Sequence, residues 1–292
     1  MRGLYSFIQR GISEMSYPIE FLMKSLIVVP ARYGSTRFAG KPLAQINGVS
    51  MVRRTADVAR RAAKTIANCD YVVATDDDRI AQHCQEYGIS AVMTPDNSPT
   101  GSDRALSAVR NFAQGTDFIV NLQGDAPFTP VSTVIAVLKA LNDGAQVATP
   151  YTQLIWYALD ELRTHKRQTP FSGTTVLIGQ DNRALMFSKN IIPAIRREAK
   201  LREQSSLSPI CRHIGLYGYR VDVLERFVSW PESHYERLEG LEQLRFLENG
   251  VPIDSVRVES PQIATSGIDT PEDLKRAEAL IAVHGDPFEG TQ

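Results

Sequence analysis

The residues best suited to chemistry follow the first apolar segment of the chain. Residues 26–29 are Leu-Ile-Val-Val, and residues 30–43 then supply two glycines, two arginines, a lysine and several hydroxyl groups. Backbone N–H groups in a glycine-containing loop, with Arg and Lys beside them, can hold polyphosphate oxygens. Because Arg37, Gly40 and Lys41 cluster at a strand end, an anion-binding loop is favoured over the alternative, a solvated basic loop.

Two common phosphate-binding motifs do not fit this loop. Five residues separate Gly34 from Gly40, where a P-loop has four, and Pro42 stands where Ser or Thr should follow the lysine. The chain also contains no G-x-G-x-x-G dinucleotide fingerprint. Phosphate binding by this loop would therefore use neither the P-loop nor the dinucleotide-binding motif.

Two aspartates in glycine-flanked loops are candidate metal ligands. Asp125 follows the apolar residues 117–122 and stands next to Gly124, and a carboxylate there is a natural ligand for Mg²⁺ in a phosphate site. The alternative for Asp125 is a helix cap or turn. Asp269 precedes Thr-Pro-Glu-Asp, which is also a good helix start, so its structural alternative is stronger. The two carboxylates could share one cation, but the sequence does not show that they meet.

Three further polar clusters carry weaker signals. Residues 75–79 (Thr-Asp-Asp-Asp-Arg) and 100–104 (Thr-Gly-Ser-Asp-Arg) fit helix caps about as well as they fit nucleotide contacts. Residues 212–220 place a cation, an imidazole and phenols on one strand, where a lone histidine is more often structural. We find no Ser/His/Asp or Cys/His nucleophile arrangement and no zinc spacing.

Strands and helices that would position these residues alternate along the first half of the chain. Apolar runs predict buried strands at 26–29, 71–74, 89–93 and 117–122. Amphipathic spacing predicts helices at 51–66, 79–87, 101–112 and 129–141. This rhythm indicates right-handed βαβ units on a parallel sheet, in which ligands bind at the carboxyl ends of the strands.

The second half has a different pattern. Strands are predicted at 174–178, 184–188, 213–219 and 253–258, and helices at 221–230, 239–249 and 271–283. Residues 196–209 are polar and form a candidate mobile loop. We therefore expect one α/β domain over residues 25–285, with a mostly parallel sheet and a β-rich insertion near 150–235.

Composition excludes several classes of protein. The 292 residues carry 32 Lys and Arg against 33 Asp and Glu, a net charge of −1, which argues against a general nucleic-acid binder. No apolar run of 18 residues is present, so we expect no membrane span. The three cysteines, Cys69, Cys84 and Cys211, form no CxxC pair, and a reducing cytoplasm fits them best.

Residues 1–24 precede the first strand and are set apart from the fold. We expect a disordered extension or an upstream start, with Met15 or Met23 as the effective beginning. The alternative is an amphipathic targeting or docking segment. The apolar run in this segment, residues 19–23, is too short and too polar for the apolar core of a signal peptide.

The ordered motifs of the chain resemble those of the CMP-Kdo synthetases (3-deoxy-manno-octulosonate cytidylyltransferases) from about Leu26 to Leu280. The motifs are PARYGSTRFAGKPL, ATDDDRI, TGSDR, NLQGDAP, RHIGLYGYR, SWPES with LEGLEQLRFLENG, and GIDTPEDL. The resemblance implies a Rossmann-like, glycosyltransferase-A-like nucleotidyltransferase fold and a homodimer. It also implies the Mg²⁺-dependent reaction CTP + Kdo → CMP-Kdo + pyrophosphate, which serves lipopolysaccharide assembly in the cytoplasm.

The resemblance also assigns roles to individual positions. The residues that match the CTP-phosphate loop are Arg32, Ser35, Arg37 and Lys41. The residues that match the nucleotide pocket are Arg79, Gly101 and Ser102. The positions that match the acidic-sugar site are Gln123, His213, Tyr217, Glu242 and Gln243. Asp125 and Asp269 match the two metal-binding aspartates, and Lys41, Arg37 and Asp125 are the implied catalytic residues.

The chain departs from the family pattern in three places. Ala126 stands where the family usually has Glu after Gln-Gly-Asp, and residues 171–178 replace a stretch that carries a lysine. Residues 151–169 match poorly. These changes leave open a related acidic sugar, such as the 8-amino analogue of Kdo. A non-catalytic nucleotide-binding paralogue is a separate alternative, against which every phosphate and metal position is intact.

Overall fold

The structure is a computed structural model that describes residues 23–34, 38–96, 98, 100–260 and 267–290. Nearly all of the predicted extension 1–24 lies outside the described residues, as do Ser35 and Arg37 of the phosphate loop. In the described part of the chain, no helix is long and apolar enough to cross a membrane.

Strands and helices alternate in the first half, as predicted. In chain order the strands are β1 (Ser25–Ala31), β2 (Gln45–Ile46), β3 (Val49–Ser50), β4 (Cys69–Thr75), β5 (Ala91–Met93), β6 (Phe118–Leu122), β7 (Val147–Ile155), β8 (Thr175–Ile178), β9 (Ala184–Ser188), β10 (Leu207–His213), β11 (Leu216–Arg220) and β12 (Ile253–Arg257). The helices are α1 (Met51–Thr65), α2 (Asp78–Glu86), α3 (Gly101–Phe112), α4 (Val131–Asn142), α5 (Trp156–Gln168), α6 (Glu198–Gln204), α7 (Val221–Ser229), α8 (His234–Glu239), α9 (Leu244–Glu248) and α10 (Pro271–His284).

One large sheet runs through both halves of the chain in the order β5-β4-β1-β6-β11-β7-β10-β8-β9. Its first part, β5 to β6, is parallel, and from β6 onward neighbouring strands along this path are antiparallel. The strand β12 adds to β7 in parallel orientation. This arrangement confirms the predicted α/β class with a β-rich second part.

Residues on both faces of β1 are buried, which explains its continuous apolar run. Ile27 and Val29 join the core beneath α1 and α4. Leu26 and Val28 join the opposite core, to which α3 and α7 contribute. Because helices cover both faces, the buried positions of the central parallel strands are mainly apolar.

The C-terminal helix forms a smaller core at the edge that carries the candidate site. Ile268, Ala277 and Ile281 pack with Ile46, Met51 and Phe128. This packing brings the loop before α10, with Asp269, to the carboxyl ends of the parallel strands.

The second half differs from the sequence prediction in several places. The single strand predicted at 213–219 is two strands, β10 and β11, because Ile214 and Gly215 turn the chain between them. The loop predicted at 196–209 contains α6 and the start of β10, and ion pairs between Arg163 and Glu198 and between Arg202 and Asp160 tie α6 to α5. The pattern also missed β7, α5 and α8.

Packing of β11 on α4 generates a stability prediction. A Cβ on Gly218 would lie 2.6 Å from Cγ1 of Val137 and 2.8 Å from Cδ1 of Leu141. We expect Gly218→Ala to lower the free energy of unfolding by about 1–3 kcal/mol, because the added methyl overpacks the core. Urea denaturation measures the change.

Gly215→Ala is the matched control, since no atom lies within 4 Å of the added methyl. This control should change the free energy of unfolding by no more than about 0.5 kcal/mol. Equal losses in the two variants would contradict the overpacking explanation.

Candidate active site

Asp125 is positioned by a close crossing of two backbone segments. The loop after β6 passes over the end of β1, and a Cβ on Gly124 would lie only 2.3 Å from the carbonyl oxygen of Pro30. Only glycine fits at that crossing. The hydroxyl of Thr55 donates to the Gly124 carbonyl at 3.2 Å and fixes the loop to α1.

Asp269 is brought to Asp125 by a backbone hydrogen bond. The N–H of Ile268 donates to the carbonyl oxygen of Asp125 at 2.9 Å. The N-cap of α10 is Thr270, which forms a reciprocal capping box with Asp273. The helix cap predicted for this region is therefore formed by Thr270. The carboxylate of Asp269 accepts a hydrogen bond from another residue.

That partner is Lys41, which lies in a short 3-10 turn at Lys41–Leu43. Its Nζ donates to Oδ2 of Asp125 at 2.8 Å and to Oδ1 of Asp269 at 3.1 Å. Although burial acts to lower the pKa of Lys41, attraction and hydrogen bonding to the two carboxylates raise that pKa above its ordinary value. Three distant segments of the chain thus meet at one ammonium group.

The donor set fits a magnesium ion that a nucleotide helps to bind. Asp125 and Asp269 both lie within hydrogen-bond distance of one point, the Lys41 Nζ. Among the residues that the structure describes, no group of three or more His, Cys, Asp or Glu side chains could hold a metal ion. Mg²⁺ commonly takes one or two carboxylates and completes its shell with water and substrate phosphates.

The N-terminus of α3 lies beside the end of β6. A Cβ on Gly101 would lie 3.4 Å from Nδ2 of Asn121 and 3.9 Å from the side chain of Gln123, so the ends of β6 and α3 are in contact. Thr100 and Asp103 form a capping box, which confirms the capping interpretation of this motif. Ser102 is buried next to them.

Arg79 lies on the other side of the phosphate loop. Its guanidinium donates to both carboxylate oxygens of Asp77, at 2.9 and 2.7 Å, and lies 3.3 Å over the ring of Tyr33. Asp77 also caps α2, as the structural alternative expected. Arg32 is exposed near the end of β1.

The residues matched to the sugar site form a second polar cluster. Oε1 of Glu242 accepts from the Thr100 hydroxyl at 2.9 Å, which joins this cluster to the cap of α3. The Nε2 of His213 lies 2.9 Å from the Thr149 hydroxyl, and the His213 and Tyr217 rings are 5.3 Å apart. Gln243 is buried at the start of α9.

Burial is the largest cause of the pKa shifts in this cluster. Burial raises the pKa of Glu242, against hydrogen bonds from Thr100 and Ser102. Burial also raises the pKa of Tyr217. It lowers the pKa of His213 to about 3, and the positive charge of nearby Lys189 acts in the same direction.

Sequence reasoning missed two residues at this site. Asn121 is a buried amide within the apolar strand β6, beside Gly101, and its polarity in an apolar run was the available signal. Lys189 directly follows β9 as a partly buried cation near His213, and burial lowers its pKa. No local pattern marked it, because its neighbours come from distant strands.

Hydrogen bonds connect residues 171–178, the segment that lacks the family's lysine, to α5 and to the residues that follow β9. The Thr175 side chain is fully buried, and its hydroxyl donates to the Asn190 carbonyl at 2.6 Å. The Nζ of Lys166 donates to the carbonyls of Gly173 at 2.9 Å and of Lys189 at 2.5 Å. These bonds fix the start of β8 to the end of β9.

Comparisons with known proteins match nearly the whole chain. A family model described as cytidylyltransferase matches residues 26–256. The 3-deoxy-manno-octulosonate cytidylyltransferase of Maricaulis maris (strain MCS10) is 41% identical over 267 residues, which are 90% of this chain and 99% of the relative. The enzyme of the same name from Elusimicrobium minutum (strain Pei191) is 38% identical over 88% of this chain and 98% of its own.

A solved structure agrees with the sequence relatives. It is CMP:2-keto-3-deoxy-manno-octonic acid synthetase complexed with CTP, and it aligns with a TM-score of 0.76 at 33% identity. The alignment covers 89% of this chain and 99% of that one.

The lowered pKa of His213 predicts a pH dependence of stability. An unfolded histidine takes up a proton below about pH 6.5, whereas His213 in the folded protein stays neutral down to about pH 3. The free energy of unfolding therefore falls as the pH drops below 6.5, by up to about 1.4 kcal/mol per pH unit from this group. We expect His213→Asn to remove that contribution, as measured by urea denaturation between pH 7 and pH 5.

The exposed residue His234 provides the matched control. His234→Asn should retain the pH dependence of the unsubstituted protein. A His213→Asn variant with an unchanged slope would show that the buried imidazole is not the source.

Proposed function

The chain belongs to the cytidylyltransferase family, and from this premise we propose that it activates 3-deoxy-D-manno-octulosonate (Kdo). The reaction is CTP + Kdo → CMP-Kdo + pyrophosphate, and its product serves lipopolysaccharide synthesis. The observation that carries the proposal is the convergence of Asp125, Asp269 and Lys41 at the carboxyl ends of the parallel strands. Two carboxylates and a cation at one point suit a nucleoside triphosphate with its metal ion.

The reaction forms a bond between the anomeric oxygen of Kdo and the α-phosphorus of CTP as the bond to pyrophosphate breaks. Asp125 and Asp269 would hold Mg²⁺. When bound, the metal lowers the pKa of the attacking hydroxyl and neutralises charge on the α-phosphate. No protein nucleophile is required.

The phosphate loop would hold the leaving group. Lys41 and Arg37 bind the departing pyrophosphate and stabilise the charge that develops on it. Arg32 and Ser35 add contacts to the same phosphates. Gly101 and Ser102 line the nucleotide pocket at the N-terminus of α3, with Arg79 at its rim.

The sugar lies against the polar cluster of the second half. His213, Tyr217, Glu242 and Gln243 offer hydrogen-bond donors and acceptors to hydroxyl groups, and Gln123 joins them from the end of β6. The positive charge of Lys189, close enough to lower the pKa of His213, favours a substrate that carries a carboxylate.

We also propose a cytoplasmic homodimer that folds as one domain over residues 25–285. The continuous sheet from β5 to β9 supports the single domain. Exposed apolar side chains in the insertion, Tyr157, Phe171 and Leu185, are available for a subunit contact.

Pyrophosphate release tests the proposed reaction directly. Purified protein is incubated with CTP and Mg²⁺, with Kdo and without it. We expect release only when Kdo is present, because the attacking hydroxyl belongs to the sugar.

The other outcomes would redirect the proposal. No release with Kdo, while CTP still binds in a Mg²⁺-dependent way, would indicate another acidic sugar, such as the 8-amino analogue. Failure to bind CTP would favour a non-catalytic paralogue.

Substitution of Asp125 tests the metal role. Asp125→Asn keeps the size of the side chain and removes its charge, so we expect turnover to fall by about 100-fold or more. Steady-state pyrophosphate release at saturating CTP and Kdo measures the loss.

Asp222→Asn removes an equivalent charge from an exposed carboxylate that pairs with Arg220, and it should leave turnover unchanged. Near-normal turnover in Asp125→Asn would count against the metal role.

A further inference from the structure

Lys41 occupies the position at which a metal ion would bind. Its ammonium lies 2.8 Å from an oxygen of Asp125 and 3.1 Å from an oxygen of Asp269. The Lys41 side chain is 15% exposed, whereas the two carboxylates are 32% and 33% exposed. The lysine thus inserts from the protein side, and the carboxylates remain open to the solvent side.

An ammonium and a magnesium ion exclude each other at this point. Mg²⁺ binds carboxylate oxygens at about 2.0–2.1 Å. An ion bound to both oxygens would compete with the Lys41 ammonium for the same two acceptors, and the two positive charges would repel each other. Metal binding to these oxygens is therefore opposed as long as Lys41 stays on the carboxylates.

We propose that Lys41 is an internal counter-ion that keeps divalent cations out of the nucleotide-free site. When CTP binds with its metal ion, Lys41 moves from the two carboxylates to the triphosphate, and the metal takes its place. Metal binding and nucleotide binding are thereby coupled through one side chain. This inference rests on the proposed function, which supplies the metal role of the aspartates and the phosphate role of Lys41.

The charges on each side of this exchange explain why a phosphate is needed. Without Lys41, two carboxylates would face each other in a partly buried site with less positive charge to balance them, which is costly. Lys41 can leave when the metal balances the carboxylates and an anion receives its ammonium. The triphosphate is that anion. The long flexible side chain of Lys41 lets the ammonium change partners while the Lys41 backbone stays in the 3-10 turn.

The direction in which metal affinity changes when Lys41 is removed distinguishes a competing cation from an ordinary active-site lysine. Removal of an ordinary active-site lysine weakens ligand binding or leaves it unchanged. Removal of Lys41 should strengthen metal binding in the absence of nucleotide, because the competing cation is gone. By reciprocity, the factor by which CTP and metal strengthen each other should shrink in the same variant.

The test measures Mn²⁺ binding to nucleotide-free, full-length protein by electron paramagnetic resonance of the free ion. We expect Lys41→Gln to bind Mn²⁺ at least tenfold more tightly than the unsubstituted protein. Lys41→Met, which keeps the apolar stem, should behave in the same way and replaces Lys41→Gln if that variant folds poorly. Lys41→Arg retains the cation and should bind Mn²⁺ weakly.

Lys139→Gln is the matched control for net charge, since Lys139 lies exposed on α4. It should leave Mn²⁺ affinity unchanged. A second measurement, CTP binding without metal, should weaken in Lys41→Gln while Mn²⁺ binding strengthens. A purely structural role of Lys41 would not move the two affinities in opposite directions.

The outcomes separate this inference from the proposed function. Equal Mn²⁺ affinity in Lys41→Gln, Lys41→Met and the unsubstituted protein, with CTP-dependent metal binding intact, would overturn only the counter-ion role. If Asp125→Asn in the Lys41→Gln background retains tight Mn²⁺ binding, the metal binds elsewhere. In that case the metal site in the proposed function also fails.

Discussion

The site depends on a backbone crossing at the carboxyl edge of the parallel strands. Gly124 passes so close to the Pro30 carbonyl that no side chain fits, and the Asp125 carbonyl next to it accepts from the Ile268 N–H. These two contacts hold the ends of β1 and β6 and the entry to α10 in one place. The carboxylates of Asp125 and Asp269 are thereby placed around one point, the Nζ of Lys41.

In the proposed reaction, the two halves of the sheet would supply different chemistry for a physical reason. The parallel half ends in charged side chains, and phosphates and a metal ion need full charges for tight binding. The antiparallel half contributes buried, neutral groups such as His213, whose pKa burial lowers to about 3. Neutral donors and acceptors suit sugar hydroxyls. Glu242 joins the halves, since it accepts a hydrogen bond from the cap of α3.

The region that departs from the family pattern is built from polar contacts as well as from a core. Leu159, Leu162 and Ile210 pack α5 on the sheet. Lys166 donates to the backbone carbonyls of Gly173 and Lys189, and Thr175 donates to the carbonyl of Asn190. These bonds fix the segment that carries Lys189. In the proposed reaction, this cation would attract the carboxylate of the substrate.

The sequence by itself determined the α/β class, most elements of the first half and the types of residue at the site. Those features are local, because apolar runs, helical periodicity and glycine-flanked loops are written in neighbouring residues. Local pattern failed at β7, α5 and the β10–β11 turn, where pairing with distant strands sets the structure. Only the tertiary structure decided that Asp125 and Asp269 meet and that Lys41 lies between them. Each of these outcomes depends on contacts between segments far apart in the chain, which no local spacing encodes.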